Sequence, residues 1–170
     1  MVGFPLMAVL QWIQDLPISA AIAESDSLWW GYAWWLFVHA VGMGLTAGIG
    51  FVVCLRLLGV GRQIPLSSLR VLFPLFWVGF YLNLVSGTLL FMTDATGIAR
   101  VWELYAKLVC LTLALLAMSR LRRFVDSTEN DLTIPPAIQK TAVACLVLWL
   151  AVITSGRLIA YAVEARGTVA

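Results

Sequence analysis

The chain holds one histidine, His39, inside a long apolar run that starts near Trp34. An imidazole binds metal ions, exchanges hydrogen bonds and changes charge near neutral pH. An ionisable side chain within a membrane span is costly and by default marks a functional site. On a helix, His39 shares its face with Gly42, Met43 and Thr46, a face that is small and partly polar. We therefore take His39 as the centre of a candidate ligand site.

The composition predicts an integral membrane protein. Of the 170 residues, 62% are hydrophobic and 12% are charged, and the mean hydropathy is +0.95. A soluble domain of this composition would leave large apolar patches in water. The net charge of +2 is too small to indicate nucleic acid as a partner.

Motifs for other kinds of chemistry are absent from the sequence. Cys54, Cys110 and Cys145 stand singly in apolar runs, which indicates core or lipid-facing positions and not a zinc, iron–sulfur or haem c site. No serine-nucleophile, metalloprotease or nucleotide-binding signature is present. The sequence predicts no catalytic residues.

Hydropathy and turn residues predict an all-α fold, a four-helix up-and-down bundle in residues 29–166. The predicted spans are 31–58, 70–93, 102–121 and 138–162. Residues 1–28 form a predicted lead-in that is amphipathic, broken by Pro17, too short to span and therefore expected to lie in the membrane interface. The first seven residues lack a basic segment, so no cleavable signal peptide is expected.

Small residues predict where helices approach one another. Gly79, Asn83 and Gly87 recur every four residues on the second span, and the Asn83 amide can hydrogen-bond across such a face. Gly44 and Gly48 form a small-x-x-x-small pair on the side of the first span away from the histidine. We expect this second face to receive another helix, from this chain or from a partner.

Lys and Arg counts predict the orientation of the bundle. Seven lie on one side of the predicted membrane: Arg56, Arg62, Arg70, Arg120, Arg122, Arg123 and Lys140. The other side has four: Arg100, Lys107, Arg157 and Arg166. This asymmetry places both termini outside the cytoplasm.

In that orientation, polar groups from all four spans fall at one level of the outer leaflet. The candidate ligand-binding residues are His39, Thr46, Asn83, Ser86, Lys107, Arg157 and Tyr161. The first and fourth spans are commonly neighbours in an up-and-down bundle. We therefore predict that His39 and Arg157 face the interior and approach each other.

His39 admits two interpretations. It is either an axial ligand of haem b iron, with Lys107 and Arg157 near the propionates, or a hydrogen-bonding residue that fixes helix packing through Ser86, Thr46 or a carbonyl. One histidine per chain excludes bis-histidine ligation within a monomer.

The two cations also have simpler interpretations. Arg157 either binds an anionic group or extends its guanidinium to the outer interface. Lys107 follows Glu103 by four residues, the spacing of an ordinary ion pair along a helix. This spacing favours the ion pair over a ligand-binding role for Lys107.

An ordered set of segments resembles a family of small bacterial inner-membrane proteins classed as a domain of unknown function. The segments are LPISAAIAES at 16–25, His39, LRLLG at 55–59, FPLFWVGF at 73–80, Ser86 with Gly87, Lys107, and Gly156 with Arg157. The resemblance implies four spans in the inner membrane, which makes the outer side the periplasm. It brings no activity.

The chain departs from the family pattern at three places. Cys54 and Leu36 stand where the pattern has acidic residues, and residues 118–120 stand where it has a second histidine. A ligand role that depended on paired histidines would not carry over to this chain.

Two functions of different classes follow. The first is a ligand-binding or electron-transfer membrane subunit that holds haem b or a quinone-like molecule around His39. The second is an accessory or scaffold protein of a larger membrane complex, which uses the Gly44 and Gly48 face. Expected partners are the lipid bilayer and either a second copy of the chain or another membrane protein.

Overall fold

The structure is a computed structural model that describes residues 3–128 and 133–167, with side chains from 6 to 128 and from 133 to 165. Every regular element among these residues is helical, which confirms the all-α prediction. The α-helices are α1 (Gly3–Gln14), α2 (Pro17–Ala23), α3 (Tyr32–Leu57), α4 (Leu72–Thr93), α5 (Ala95–Ile98), α6 (Trp102–Ser127) and α7 (Pro136–Gly167). A 3-10 helix, Leu66–Val71, precedes α4 directly.

Four of these helical units are long and apolar enough to cross a membrane. They are α3, the 3-10 helix with α4, α6, and α7, so the predicted four-span bundle is confirmed. Helix α6 continues to Ser127, beyond the predicted end at residue 121. The added residues bury Val125 against the bundle, and Arg122 and Asp126, each about half exposed, form an ion pair at 3.4 Å.

The predicted lead-in consists of two helices. Leu16 is extended and Pro17 starts α2, so α1 and α2 meet at a bend of 59°. The Gln14 side-chain oxygen accepts hydrogen bonds from the Thr96 amide and hydroxyl at 3.2 and 2.8 Å, and Ile22 is fully buried. The lead-in is therefore fastened to the α4–α6 connection, and its place in the membrane interface stays a prediction.

The order of the spans around the bundle is α4, α3, α7, α6. Helix α3 packs along α4 and against α7, and α7 packs along α6. Phe76 of α4 and Trp149 of α7 meet edge to face in the core, with ring centroids 6.0 Å apart. Cys54 and Cys145 are fully buried in this core, as predicted, whereas Cys110 is half-buried.

Helices α4 and α6 close the bundle at one end only. At the end that holds the start of α4, Arg70 donates to the Val125 carbonyl at 3.2 Å and the Arg122 guanidinium lies 5.6 Å from the centre of the Phe73 ring. Along the rest of their length, the described residues of α4 and α6 make at most marginal contact. The bundle is therefore open on the side between these two helices.

Glycines allow the closest approach in the bundle, where α3 crosses α4. A Cβ at Gly42 would lie 2.8 Å from the Asn83 nitrogen and 2.9 Å from the Gly79 oxygen. A Cβ at Gly79 would lie 2.6 Å from the Leu45 Cβ. The crossing fixes the register that brings His39 beside the last turns of α4. The predicted packing role of Gly79 fits this contact, and Gly42 shares it.

Candidate functional site

A cavity of about 300 Å³ lies where α4 and α6 separate. All four spans line it, with largely apolar side chains. Its polar residues are His39, Thr46, Asn83, Thr88 and Lys107. Its aromatic residues are Phe80, Phe91 and Trp149. Four of the seven predicted ligand-binding residues, His39, Thr46, Asn83 and Lys107, therefore do line one cavity.

The ring of His39 is held by Ser86, across the α3–α4 contact. The distance from Nδ1 to the Ser86 Oγ is 3.1 Å. The Ser86 hydroxyl lies 2.6 Å from the Leu82 carbonyl, and a hydroxyl has one hydrogen to donate. This network assigns the hydrogen to Nδ1 of His39, which donates to Ser86. In the neutral ring, Nε2 then keeps its lone pair.

Asn83 and Gly87 complete the setting of the histidine. The Asn83 amide donates to the His39 carbonyl at 2.8 Å, the cross-helix bond that the spacing on α4 predicted. A Cβ at Gly87 would lie 2.9 Å from the Cε1 of His39, so the imidazole occupies the space that this glycine leaves. The ring is thereby fixed against α4, at the wall of the cavity.

Lys107 reaches the cavity from α6. A Cβ at Gly156 would lie 3.4 Å from its Nζ, so the absence of a side chain on α7 gives the ammonium its place. The predicted ion pair with Glu103 does not form, because no described residue pairs with Lys107 and the buried Oε2 of Glu103 has no hydrogen-bond partner among the described residues. The Lys107 ammonium is a cation available to a ligand.

Arg157 and Tyr161 lie apart from this cavity. Arg157 is exposed, donates to the Tyr161 hydroxyl at 3.2 Å and lies 5.1 Å from the centre of that ring. Neither residue lines the cavity. The prediction that Arg157 faces the bundle interior and approaches His39 is therefore wrong, and the pair occupies the outer face of α7.

The remaining candidates have mixed outcomes. Thr46 is buried, and its hydroxyl donates a hydrogen bond to the Gly42 carbonyl at 2.8 Å. Its hydrogen is therefore not available to a ligand. Gly44 and Gly48 have no atom within 4 Å of an added Cβ, so neither packs against a described helix of this chain. The use of their face by a partner stays a prediction.

The aromatic wall of the cavity was not predicted. Trp149 is 2% exposed and packs its indole nitrogen against Gly50 of α3, where a Cβ would lie 2.6 Å away. Trp149 therefore fills the interior of the bundle, where its ring also meets Phe76. Gly50 lies on the His39 face of the first span. A glycine on that face was the one sign in the sequence that a large side chain, here Trp149, packs against it.

The described residues offer few ligands for a metal. No group of three His, Cys, Asp or Glu side chains comes together among them. Met43 lines the cavity from the same helix as His39, one turn away, so the two do not face each other across it. Axial ligation of haem by two side chains of one chain has no support in this arrangement.

No family model, curated protein or solved structure matches the chain. The resemblance to a bacterial inner-membrane family stays a prediction.

Proposed function

We propose that this integral membrane protein binds a quinone-like molecule in the cleft between α4 and α6. The observation that carries the proposal is a largely apolar cavity that contains a few polar groups and opens sideways. Leu84 of α4 and Leu108 of α6 line the cavity and are 50% and 51% exposed. A ligand dissolved in the bilayer would therefore enter between these two helices without crossing water.

The polar groups of the cavity suit a ligand whose oxidised form accepts hydrogen bonds and whose reduced form donates them. The Lys107 ammonium is a donor for a carbonyl oxygen of a quinone. Nε2 of His39 is an acceptor for the hydroxyl of the reduced form. The apolar remainder of the wall, with Phe80, Phe91 and Trp149, suits a flat ring and an aliphatic tail.

Haem b, the other candidate ligand, has less support. The cavity volume of about 300 Å³ lies at the lower end for ligand pockets, and a quinone ring needs less space than a porphyrin. Arg157, one of the two cations expected near the propionates, lies on the exposed face of α7. The ligand set of one histidine also gives haem iron a single axial bond from this chain.

The experiment is a titration of the detergent-purified protein with a short-tailed quinone, in oxidised and reduced form. Equilibrium dialysis measures the amount of ligand bound. We expect saturable binding that Lys107→Gln weakens about tenfold or more, since a hydrogen bond to a charged group contributes about 1.5–3 kcal/mol, and that His39→Leu weakens about two- to tenfold, since a neutral hydrogen bond contributes about 0.5–1.5 kcal/mol. Arg157→Gln is the matched control, because it removes an exposed cation from the same level of the bundle, and binding should not change.

Several outcomes would overturn the proposal. They are the absence of saturable quinone binding, an equal loss with Arg157→Gln, and displacement of the quinone by a simple fatty acid at equal concentration. A Soret absorption band that disappears in His39→Leu would identify haem b instead. A colourless protein that binds neither ligand and co-purifies with other membrane proteins would favour the scaffold function. Gly87→Ala, which would push the imidazole aside, serves as a second variant if His39→Leu does not fold.

The proposal includes a location. It places the protein in a bacterial inner membrane with both termini in the periplasm, because the seven basic residues gather at the opposite end. The cleft would then open in the outer leaflet. A second copy of the chain or another membrane protein would accept the two electrons if a bound quinol is oxidised to the quinone, with two protons released.

A further inference from the structure

Two polar atoms near the end of the bundle that holds the His39 cleft are buried without a hydrogen-bond partner among the described residues. They are Oε2 of Glu103, on α6, and Nε1 of Trp35, on α3. A carboxylate oxygen accepts hydrogen bonds, and an indole N–H donates one. Buried polar groups in folded proteins nearly always have partners, so an unpaired acceptor and an unpaired donor at one end of the bundle require an explanation.

Both atoms belong to residues that precede the polar residues of the cleft by one helical turn. Glu103 lies four residues before Lys107 on α6, and Trp35 lies four residues before His39 on α3. Residues at this spacing share a helix face. Because His39 and Lys107 line the same cavity, the unpaired acceptor and donor lie about 6 Å closer to the end of the bundle, on the faces that border the cleft.

The carboxylate of Glu103 points inward from a helix start that reaches the surface. Glu103 lies in the first turn of α6. Its neighbours Trp102 and Tyr105 are 65% and 54% exposed, whereas its Oε2 is buried. Exposed aromatic side chains at the end of a span are typical of the membrane–water interface. Glu103 therefore lies between the cleft and the aqueous phase at this end.

The charged groups around Glu103 leave its buried oxygen accessible to a proton carrier. The Lys107 ammonium lies against Gly156 of α7, and Asp94 accepts a hydrogen bond from the Gly97 amide. The other titratable or charged side chains described at this end of α6 and α7 are exposed: Arg100, Arg157, Tyr161 and Glu164. None of them donates to Oε2 of Glu103. This oxygen can therefore bind a proton or a water molecule without the loss of a bond to a described residue.

We propose that Glu103 carries protons between the His39 cleft and the aqueous phase at this end of the bundle, a role that rests on the proposed quinone site. Oxidation of a bound quinol breaks its two O–H bonds, passes two electrons to the acceptor protein and leaves two protons in an apolar cleft. Nε2 of His39 accepts these protons one at a time. Water held by the Trp35 N–H and by Oε2 of Glu103 passes each proton to the carboxylate, which releases it to the aqueous phase.

The test follows the oxidation of a short-tailed quinol bound to the detergent-purified full chain, by stopped-flow mixing with ferricyanide. Two ferricyanide ions take the two electrons of one quinol, and a pH-indicator dye reports the two protons released. Glu103→Gln keeps the size of the side chain but does not take up a proton, and Glu103→Ala leaves room for formate as a replacement acid. Asp26→Asn is the matched control, because Asp26 is an exposed carboxylate just before α3 at the same end.

We expect Glu103→Gln to slow quinol oxidation and proton release about tenfold or more, since positioned proton carriers contribute at least this much to a rate. Quinol binding, measured by equilibrium dialysis, should not change. Formate should restore the rate in Glu103→Ala, and Asp26→Asn should react at the rate of the unaltered chain.

An unchanged rate in Glu103→Gln, or a slow rate in Glu103→Ala that formate does not relieve, would overturn the proposal and leave the quinone site intact. Equal slowing in Asp26→Asn, or a loss of quinol binding in Glu103→Gln, would also overturn it, because each would indicate an effect other than proton transfer. If the unaltered chain binds no quinol, the proposed quinone site is itself wrong, and the role of Glu103 is excluded with it.

Discussion

At the scale of single residues, the pair of Ser86 and His39 decides what the cleft offers to a ligand. Ser86 is fully buried, and its hydroxyl stands between the Leu82 carbonyl and the histidine ring. The sequence suggested this partner, because both residues fall at one level of neighbouring spans. It could not give the tautomer, which depends on the second hydrogen bond of the hydroxyl.

We predict that Ser86→Ala weakens quinol binding more than quinone binding. Without the Ser86 hydroxyl as acceptor, the His39 tautomer with its hydrogen on Nδ1 is no longer favoured. Nε2 is then no longer held as the acceptor for a quinol hydroxyl. The bond lost between the spans should also lower the free energy of unfolding by about 0.6–1.5 kcal/mol. Parallel titrations with the two redox forms and thermal unfolding of the purified protein measure both effects.

Thr112→Ala is the control for this substitution. Thr112 is exposed on α6 and bonds only to the Leu108 carbonyl of its own helix. It should leave the affinity for both forms unchanged. An equal loss of affinity for quinone and quinol in Ser86→Ala would contradict the assigned tautomer.

Arg157 shows where residue-level prediction failed. Its depth was correct, since its neighbour Gly156 contacts Lys107 of the cleft. Successive residues of an α-helix are turned by about 100°, so the residue that follows Gly156 points well away from the cleft. Depth along a span follows from counting residues, whereas the direction of a side chain depends on how the helix is rotated in the bundle.

At the scale of helices, the α3–α4 crossing holds the cleft in shape. We predict that Gly42→Ala forces the two helices apart, since its Cβ would meet backbone atoms of Asn83 and Gly79 that cannot turn away. The expected loss in the free energy of unfolding is about 1–3 kcal/mol. Thermal unfolding in detergent, with quinone binding measured alongside, tests this.

Gly44→Ala is the matched control on the same helix. Nothing lies within 4 Å of its added Cβ, and alanine favours a helix over glycine by about 1 kcal/mol. We expect Gly44→Ala to be neutral or stabilising in the isolated chain. A loss of stability as large as that of Gly42→Ala would indicate that the Gly44 face is already packed, against a second copy.

The sequence predicted the four spanning helices, but it did not predict where α6 ends or that the short helix α5 forms. Long apolar runs between turns gave four spans, because only helices satisfy their own backbone groups in lipid. The extension of α6 to Ser127 was missed, since its polar outer face lowers the hydropathy while Val125 still packs inward. The short helix Ala95–Ile98, capped by the Asp94 side chain, was missed because four residues carry little periodicity.

At the scale of the whole molecule, the orientation is the first prediction to check. Leu28, 71% exposed, and Gln63, also exposed, lie at opposite ends of the bundle. In a Cys110→Ser background, an impermeant thiol reagent applied to the periplasm should label Leu28→Cys and not Gln63→Cys. Asn130, between the third and fourth predicted spans and therefore on the side of Gln63 in the predicted orientation, lies outside the described residues.

The opposite labelling pattern would put the His39 cleft in the inner leaflet. Equal labelling of both positions in intact cells would indicate mixed insertion. In either case the basic residues would not control insertion as the positive-inside rule requires.

The opening between α4 and α6 is the central feature of the molecule, because it turns an apolar bundle into one with an entrance from the lipid. The most direct test is photoaffinity labelling of the protein in native membranes with an azido-quinone, followed by mapping of the labelled peptides. We predict label on the cleft walls at residues 80–91 and 104–111, competed by unlabelled quinone and reduced in Lys107→Gln. Label spread over the outer faces of all four spans, unaffected by competitor or by Lys107→Gln, would contradict a quinone site in the cleft.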